Sequence, residues 1–205
     1  MATSFPISIP STNTKHIRIR QHAVVGVGQS PTTLEQQVQR RQGQVWLLDA
    51  AYFPFTRATA EAMHAALCSL NGREGTFLFG DSANKTPRGT ATGTPLVNGA
   101  SQTGEDLATD GWTAGVTNIL RAGDWIQIGS GSTARLYKNL VDVNSNGSGQ
   151  ATLTLWPRVF TAWADNAAIA TSFPKGVFRL TTDGHDWDID EMLLNGVRFS
   201  AVSIP

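Results

Sequence analysis

The sequence predicts a mainly β protein with one packed helix: an antiparallel β-sandwich with an α+β element, plus an inserted small β-barrel or sandwich. Three observations predict it. Period-two alternation recurs along the chain, as in His16-Ile17-Arg18-Ile19-Arg20 and Trp125-Ile126-Gln127-Ile128-Gly129, and such alternation marks half-buried strands. One stretch has helical spacing, with Met63, Leu67 and Leu70 at i, i+4 and i+7. A segment rich in Thr, Gly, Pro and Asn at 82–94 separates two groups of strands.

Residues 7–10 are bounded by prolines, which suits an edge strand or an extended arm. The strand at 16–20 is extended by Val24, Val25 and Val27, and Gly26, Gly28, Ser30 and Pro31 punctuate it. Residues 34–41 read as a polar strand, Gln42-Gly43 as a turn, and 44–52 as a buried strand, together an antiparallel meander. The helix is expected at 57–71. Thr56 or Thr59 serves as its N-cap, and Asn71-Gly72 supplies the left-handed stop. Residues 75–80 return as a strand. Beyond the linker, strands are expected at 125–129, 134–143 and 151–156, with a turn at 144–149. Strands at 177–180 and 197–204 close the chain. The units are therefore 1–81 completed by 176–205, and 95–175 as an accessory domain, with 82–94 as a boundary that few contacts cross.

Of the 205 residues, 16% are charged, against about a quarter in typical domains. Such a surface is Thr/Ser/Asn-rich or hidden against partner subunits. Lys plus Arg and Asp plus Glu are 16 each, so the net charge is zero. That argues against specific nucleic-acid binding, which needs a basic excess, and it suits self-association. One cysteine, Cys68, makes no internal disulfide and no Cys-based zinc site. The N-terminus lacks the pattern of a signal peptide. No run of about 18 apolar residues is present to span a membrane.

No motif carries chemistry, so the expectation is no catalytic, cofactor-binding or metal site and no enzymatic activity. Gly26-Val27-Gly28-Gln29-Ser30-Pro31 lacks the helix that a phosphate-cradling loop requires, and reads as a turn. Asp142-Val143-Asn144-Ser145-Asn146-Gly147 matches the start of a calcium loop. Leu153 then stands where a bidentate Glu is needed, so this too reads as a turn. Asp186, Asp188 and Asp190 share one face of a strand, as a solvated or partner-facing edge that blocks wrong pairing. His16, His22, His64 and His185 show no ligand spacing. Cys68 follows His64 by four residues, yet a small buried thiol is the commoner case than a Cys–His dyad. Of the six tryptophans, Trp125 and Trp156 read as barrel core. An exposed set would suit a carbohydrate-binding module instead.

Several segments resemble a known family. Tyr52-Phe53-Pro54-Phe55-Thr56-Arg57-Ala58-Thr59-Ala60-Glu61 leads into the helix. Leu70-Asn71-Gly72-Arg73-Glu74-Gly75-Thr76-Phe77-Leu78-Phe79-Gly80-Asp81 leaves it. Val97-Asn98-Gly99-Ala100-Ser101-Gln102-Thr103-Gly104 follows the linker. Later come Leu120-Arg121-Ala122-Gly123-Asp124-Trp125-Ile126-Gln127-Ile128-Gly129, Arg135-Leu136-Tyr137-Lys138 and Gly176-Val177-Phe178-Arg179-Leu180. In order and spacing these resemble the distal tail protein of long-tailed bacteriophages and of related gene transfer agents, over about 45–180. The resemblance implies a tail-tube-like fold and a homo-oligomeric ring, a hexamer, in the virion at the tail tip, made in the host cytoplasm. It implies as partners the tail tube protein, the baseplate hub, and the tape measure and tail fibre proteins. The ring surface is expected from 1–81 with the C-terminal strands. A carbohydrate-binding β module is the second reading.

Overall fold

The computed structural model describes residues 4–9, 13–184, 187–189 and 195–205. In chain order the elements are β1 (Ile7–Ser8), β2 (Thr14–Gln29), β3 (Gln36–Tyr52), α1 (Arg57–Ser69), β4 (Phe77–Phe79), β5 (Gly93–Val97), β6 (Gly104–Trp112), β7 (Trp125–Ile128), β8 (Arg135–Asn139), β9 (Ala151–Val159), β10 (Ile169–Ala170), β11 (Gly176–Leu180), β12 (Trp187–Ile189) and β13 (Asn195–Ser203). The protein is mainly β with a single helix among the described residues, as the alternation predicts.

The strands form two sheets. One runs β1-β4-β11-β13-β3-β2, with β12 also paired to β13. It is antiparallel except where β1 lies parallel to β4. The other runs β10-β7-β8-β9-β6-β5. A bridge between Leu96 and Ala168 joins its two ends, so this sheet is nearly a closed barrel. All the strands between Gly93 and Ala170 are in the barrel, and β11 to β13 return to the first sheet.

The helix follows its sequence pattern. Ala60, Met63, Leu67 and Leu70 are buried in one cluster with Leu48, Tyr52, Phe77, Phe79, Phe178 and Phe199 of the first sheet. Asn71 (φ 48°) and Gly72 (φ 65°) then turn left-handed and end it. A Cβ on Gly72 would lie 2.7 Å from the Asp183 Cα, so this turn accepts no side chain. Next to it, Arg73 grips Asp183 with two bonds of 2.8 and 2.7 Å. This pair lies on the surface and ties the helix exit to the turn after β11.

Four sequence-based expectations change. Gln42-Gly43 is not a turn. It lies inside β3, where the pairing shifts from Ala23↔Gln44 to Val25↔Arg40, so the glycine sits in a bulge. The reversal falls at 30–35 instead, and β2 and β3 form one long hairpin. The strand expected at 134–143 ends at Asn139, because 140–149 folds across the barrel end.

Trp125 and Trp156 are not inside the barrel. Alternation directs Ile126 and Ile128 of β7, and Leu153 and Leu155 of β9, inward. Trp125 and Trp156 therefore point outward, where they meet Trp46 of β3 at centroid distances of 4.8 and 4.1 Å. The Trp46 indole N–H donates to the Leu136 carbonyl of β8 (3.1 Å), and its backbone N–H to Ser203 Oγ of β13 (2.8 Å). The core of the first sheet thus includes Trp125, Leu136 and Trp156 of the barrel.

Nor is 82–94 an open linker. Thr90 and Ala91 N–H donate to the Asn118 and Ile119 carbonyls (3.0 and 2.9 Å). Arg88 and Gly89 N–H donate to the Asp124 carboxylate (2.9 and 3.1 Å). That carboxylate is 4% exposed and also accepts from Arg121 N–H (2.8 Å).

Two outcomes follow from this packing. Leu67→Ala should lower the stability by about 2–5 kcal/mol, the cost of emptying a closed core site. An unchanged denaturant midpoint would place Leu67 outside the core. Replacing 95–175 with a short flexible linker should leave a chain without a cooperative melting transition, because Trp46 loses its cover. A remainder that melts cooperatively would show that the first sheet closes its own core.

Candidate assembly surface

The β2–β3 hairpin is the feature of the fold that its own core does not explain. Near its base, odd-numbered residues of β2 face the core side. Ile17 pairs with Ala50, Ile19 with Leu48 and Gln21 with Trp46. The same face continues outward as Val25 opposite Arg40 and Val27 opposite Val38. Strands advance about 3.3 Å per residue, so the 16 residues of β2 reach roughly 50 Å, beyond what the helix and barrel cover. The outer half is solvent-exposed on both faces, with Val25 at 49%, Val27 at 60% and Val38 at 58% exposure. The opposite face is nearly flat, since it carries Gly26 and Gly28 opposite Gln39 and Gln37. β2 also forms one edge of its sheet, and an exposed apolar edge of this length invites pairing with another chain.

The tip is held by its own hydrogen bonds. Ser30 N–H donates to the Glu35 carbonyl (2.9 Å), and Leu34 N–H to the Ser30 carbonyl (3.0 Å). Ser30 Oγ accepts from Thr33 N–H (3.2 Å), and Gln29 Nε2 donates to the Leu34 carbonyl (3.3 Å). Leu34 is left-handed (φ 58°) and 67% exposed.

Charge is unevenly divided. The hairpin from Thr14 to Tyr52 holds Lys15, Arg18, Arg20, Arg40 and Arg41 against Glu35 and Asp49. It is therefore cationic, and the remaining residues are anionic by the same amount, since the whole chain is neutral. Asp49 is used internally. It accepts from Arg20 (2.8 Å) and from Ser200 Oγ (2.7 Å). Arg40 approaches Glu105 of β6 at 3.6 Å, with both side chains mostly exposed.

The residues singled out in the sequence do not converge. Gly26 and Gly28 lie within β2, and the hairpin tip rather than a helix follows them. Asp142, Asn144 and Ser145 tie the barrel end to the 113–122 loop through Ala122, Asn118 and Val116 N–H (2.8, 2.7 and 2.9 Å). His16 and His22 are exposed on the hairpin, and His64 is buried in α1. Cys68, expected to be buried, is exposed, because it follows the buried Leu67 on the turn of the helix that faces away from the sheet. Asp188 lies in β12, whose backbone pairs with β13. His185, Asp186 and Asp190 lie outside the described residues. Among the described residues no three His, Cys, Asp or Glu side chains gather as a metal site, and no helix is long and apolar enough to cross a membrane. Trp46, Trp112, Trp125 and Trp163 are buried and Trp156 is partly buried, so none of these forms an exposed stacking platform.

The hairpin as a surface was missed in the sequence because its valines read as the continuation of a half-buried strand. The signal was present in Gln36, Gln37, Gln39, Gln42 and Gln44, a glutamine-rich partner strand that no core would cover. No protein-family model and no curated protein matches this chain.

The exposure of Cys68 has a direct check. A thiol reagent should titrate about one thiol per chain in the native protein, at the rate seen after unfolding. Protection until denaturation would place the thiol inside the fold.

Proposed function

We propose that this chain is a structural virion protein. It forms a homo-oligomeric ring, a hexamer, at the distal end of a phage tail, and joins the tail tube to the baseplate hub or fibre proteins. The observation that carries the reading is the projecting β2–β3 hairpin, an apolar and cationic surface that the described residues leave uncovered. Exposed apolar patches of this kind mark interaction sites. The spacing of segments over about 45–180 supports the tail-tip assignment through the resemblance described above.

A second copy meets the requirements of the hairpin. The remaining residues carry the opposite charge, and a head-to-tail contact repeated around an axis closes into a ring with every hairpin covered. The barrel, fixed against the first sheet through Trp46, would then stand at a set angle on each subunit and present a repeated surface to neighbouring tail proteins.

The purified protein at micromolar concentration should scatter light as a single assembly of six chain masses, within the error of the method. A strict monomer across that range would overturn the self-assembly reading. Val27→Asp with Val38→Asp should convert the assembly to folded monomers, with the far-ultraviolet spectrum retained.

A further inference from the structure

A leucine is a costly choice for a left-handed backbone position. The conformation crowds its Cβ against the following carbonyl, and glycine or asparagine would fit with less strain. Leu34 nevertheless occupies it (φ 58°) and leaves 67% of its surface in water. No described residue of the chain covers that side chain. The tip around it is ordered by the bonds of Ser30, Gln29 and Glu35 described above. A rigid turn that presents one large apolar side chain has the form of a binding anchor, because little freedom remains to be lost on docking.

We infer that Leu34 is the apolar anchor by which the hairpin docks on a second copy of this chain, and that the excess cations of the hairpin, Arg41 beside the bulge among them, steer it there. The inference rests on the assembly reading above. The choice of a second copy follows from charge. The hairpin holds five cations against two carboxylates, and the balance of the molecule is anionic by the same margin. Exposed acids on that balance include Asp106 and Asp165. Opposite fields on two parts of one neutral molecule favour head-to-tail encounter between copies and disfavour hairpin against hairpin. Anchor and steering act on different quantities. The leucine governs how long copies stay together, and the charges govern how fast they meet.

Leu34→Gly separates the anchor from the turn. Glycine relieves the left-handed strain, so at concentrations where both proteins are dissociated the fold should melt at the same temperature or higher. Sedimentation over a concentration series should nevertheless show dissociation at about tenfold higher concentration or more, the scale of a lost hot-spot side chain. Leu34→Met, which keeps the apolar bulk, should assemble close to wild type. Added salt should slow association of the wild type. If Leu34→Gly assembles as the wild type does, the anchor is wrong and the assembly reading stands. If the wild type itself remains monomeric, both fail together.

Discussion

Trp46 sits where the two halves of the molecule meet. It comes from β3, the long strand of the first sheet, and its ring packs against Trp125 and Trp156 on the outside of the barrel. Its indole N–H is satisfied by a barrel carbonyl and its backbone N–H by Ser203 of the last strand. Large aromatic rings bury much apolar area and need their polar atoms paired. Here both needs are met across the boundary between the sheets. The first sheet consequently does not close its core with its helix alone, and the barrel's orientation is set by packing rather than by the connecting chain.

A second constraint fixes the other crossing. The Asp124 carboxylate is nearly inaccessible and takes three backbone N–H bonds, two of them from the segment that enters the barrel. A buried carboxylate is tolerated when hydrogen bonds replace its lost water. Arg88 adds its guanidinium at 3.5 Å and also donates to the Ala122 carbonyl. The returning segment is tied to the same place, with Phe173 N–H on the Lys85 carbonyl (2.7 Å). Chain that reads as linker by composition is thus held along its length.

Against this packed body the β2–β3 hairpin stands apart. Apolar residues recur on one face of β2 from covered into uncovered territory, as core at Ile17 and Ile19 and as surface at Val25 and Val27. The bulge around Gly43 marks the change, since the pairing shifts there and a bulge adds local twist. A Cβ at Gly43 would lie 3.0 Å from Val24 Cγ2, a tight contact at the bulge.

Local chemistry determined much of this protein from the sequence alone. The helix face of Met63, Leu67 and Leu70, its left-handed stop at Asn71-Gly72, and the period-two alternation of 125–129 all depend on neighbours a few residues away. A single chain carries that information in its spacing. Tertiary structure decided what those patterns face. Whether Trp125 points into a barrel or onto another sheet depends on which parity of the strand the barrel encloses. Whether Val27 is core or surface depends on how far the helix reaches. Asp124 is buried because the distant segment at Arg88-Gly89 packs onto it. Each of these is set by partners far away in sequence, and period-two alternation reads the same whether the covering layer is the protein's own, another subunit's, or water.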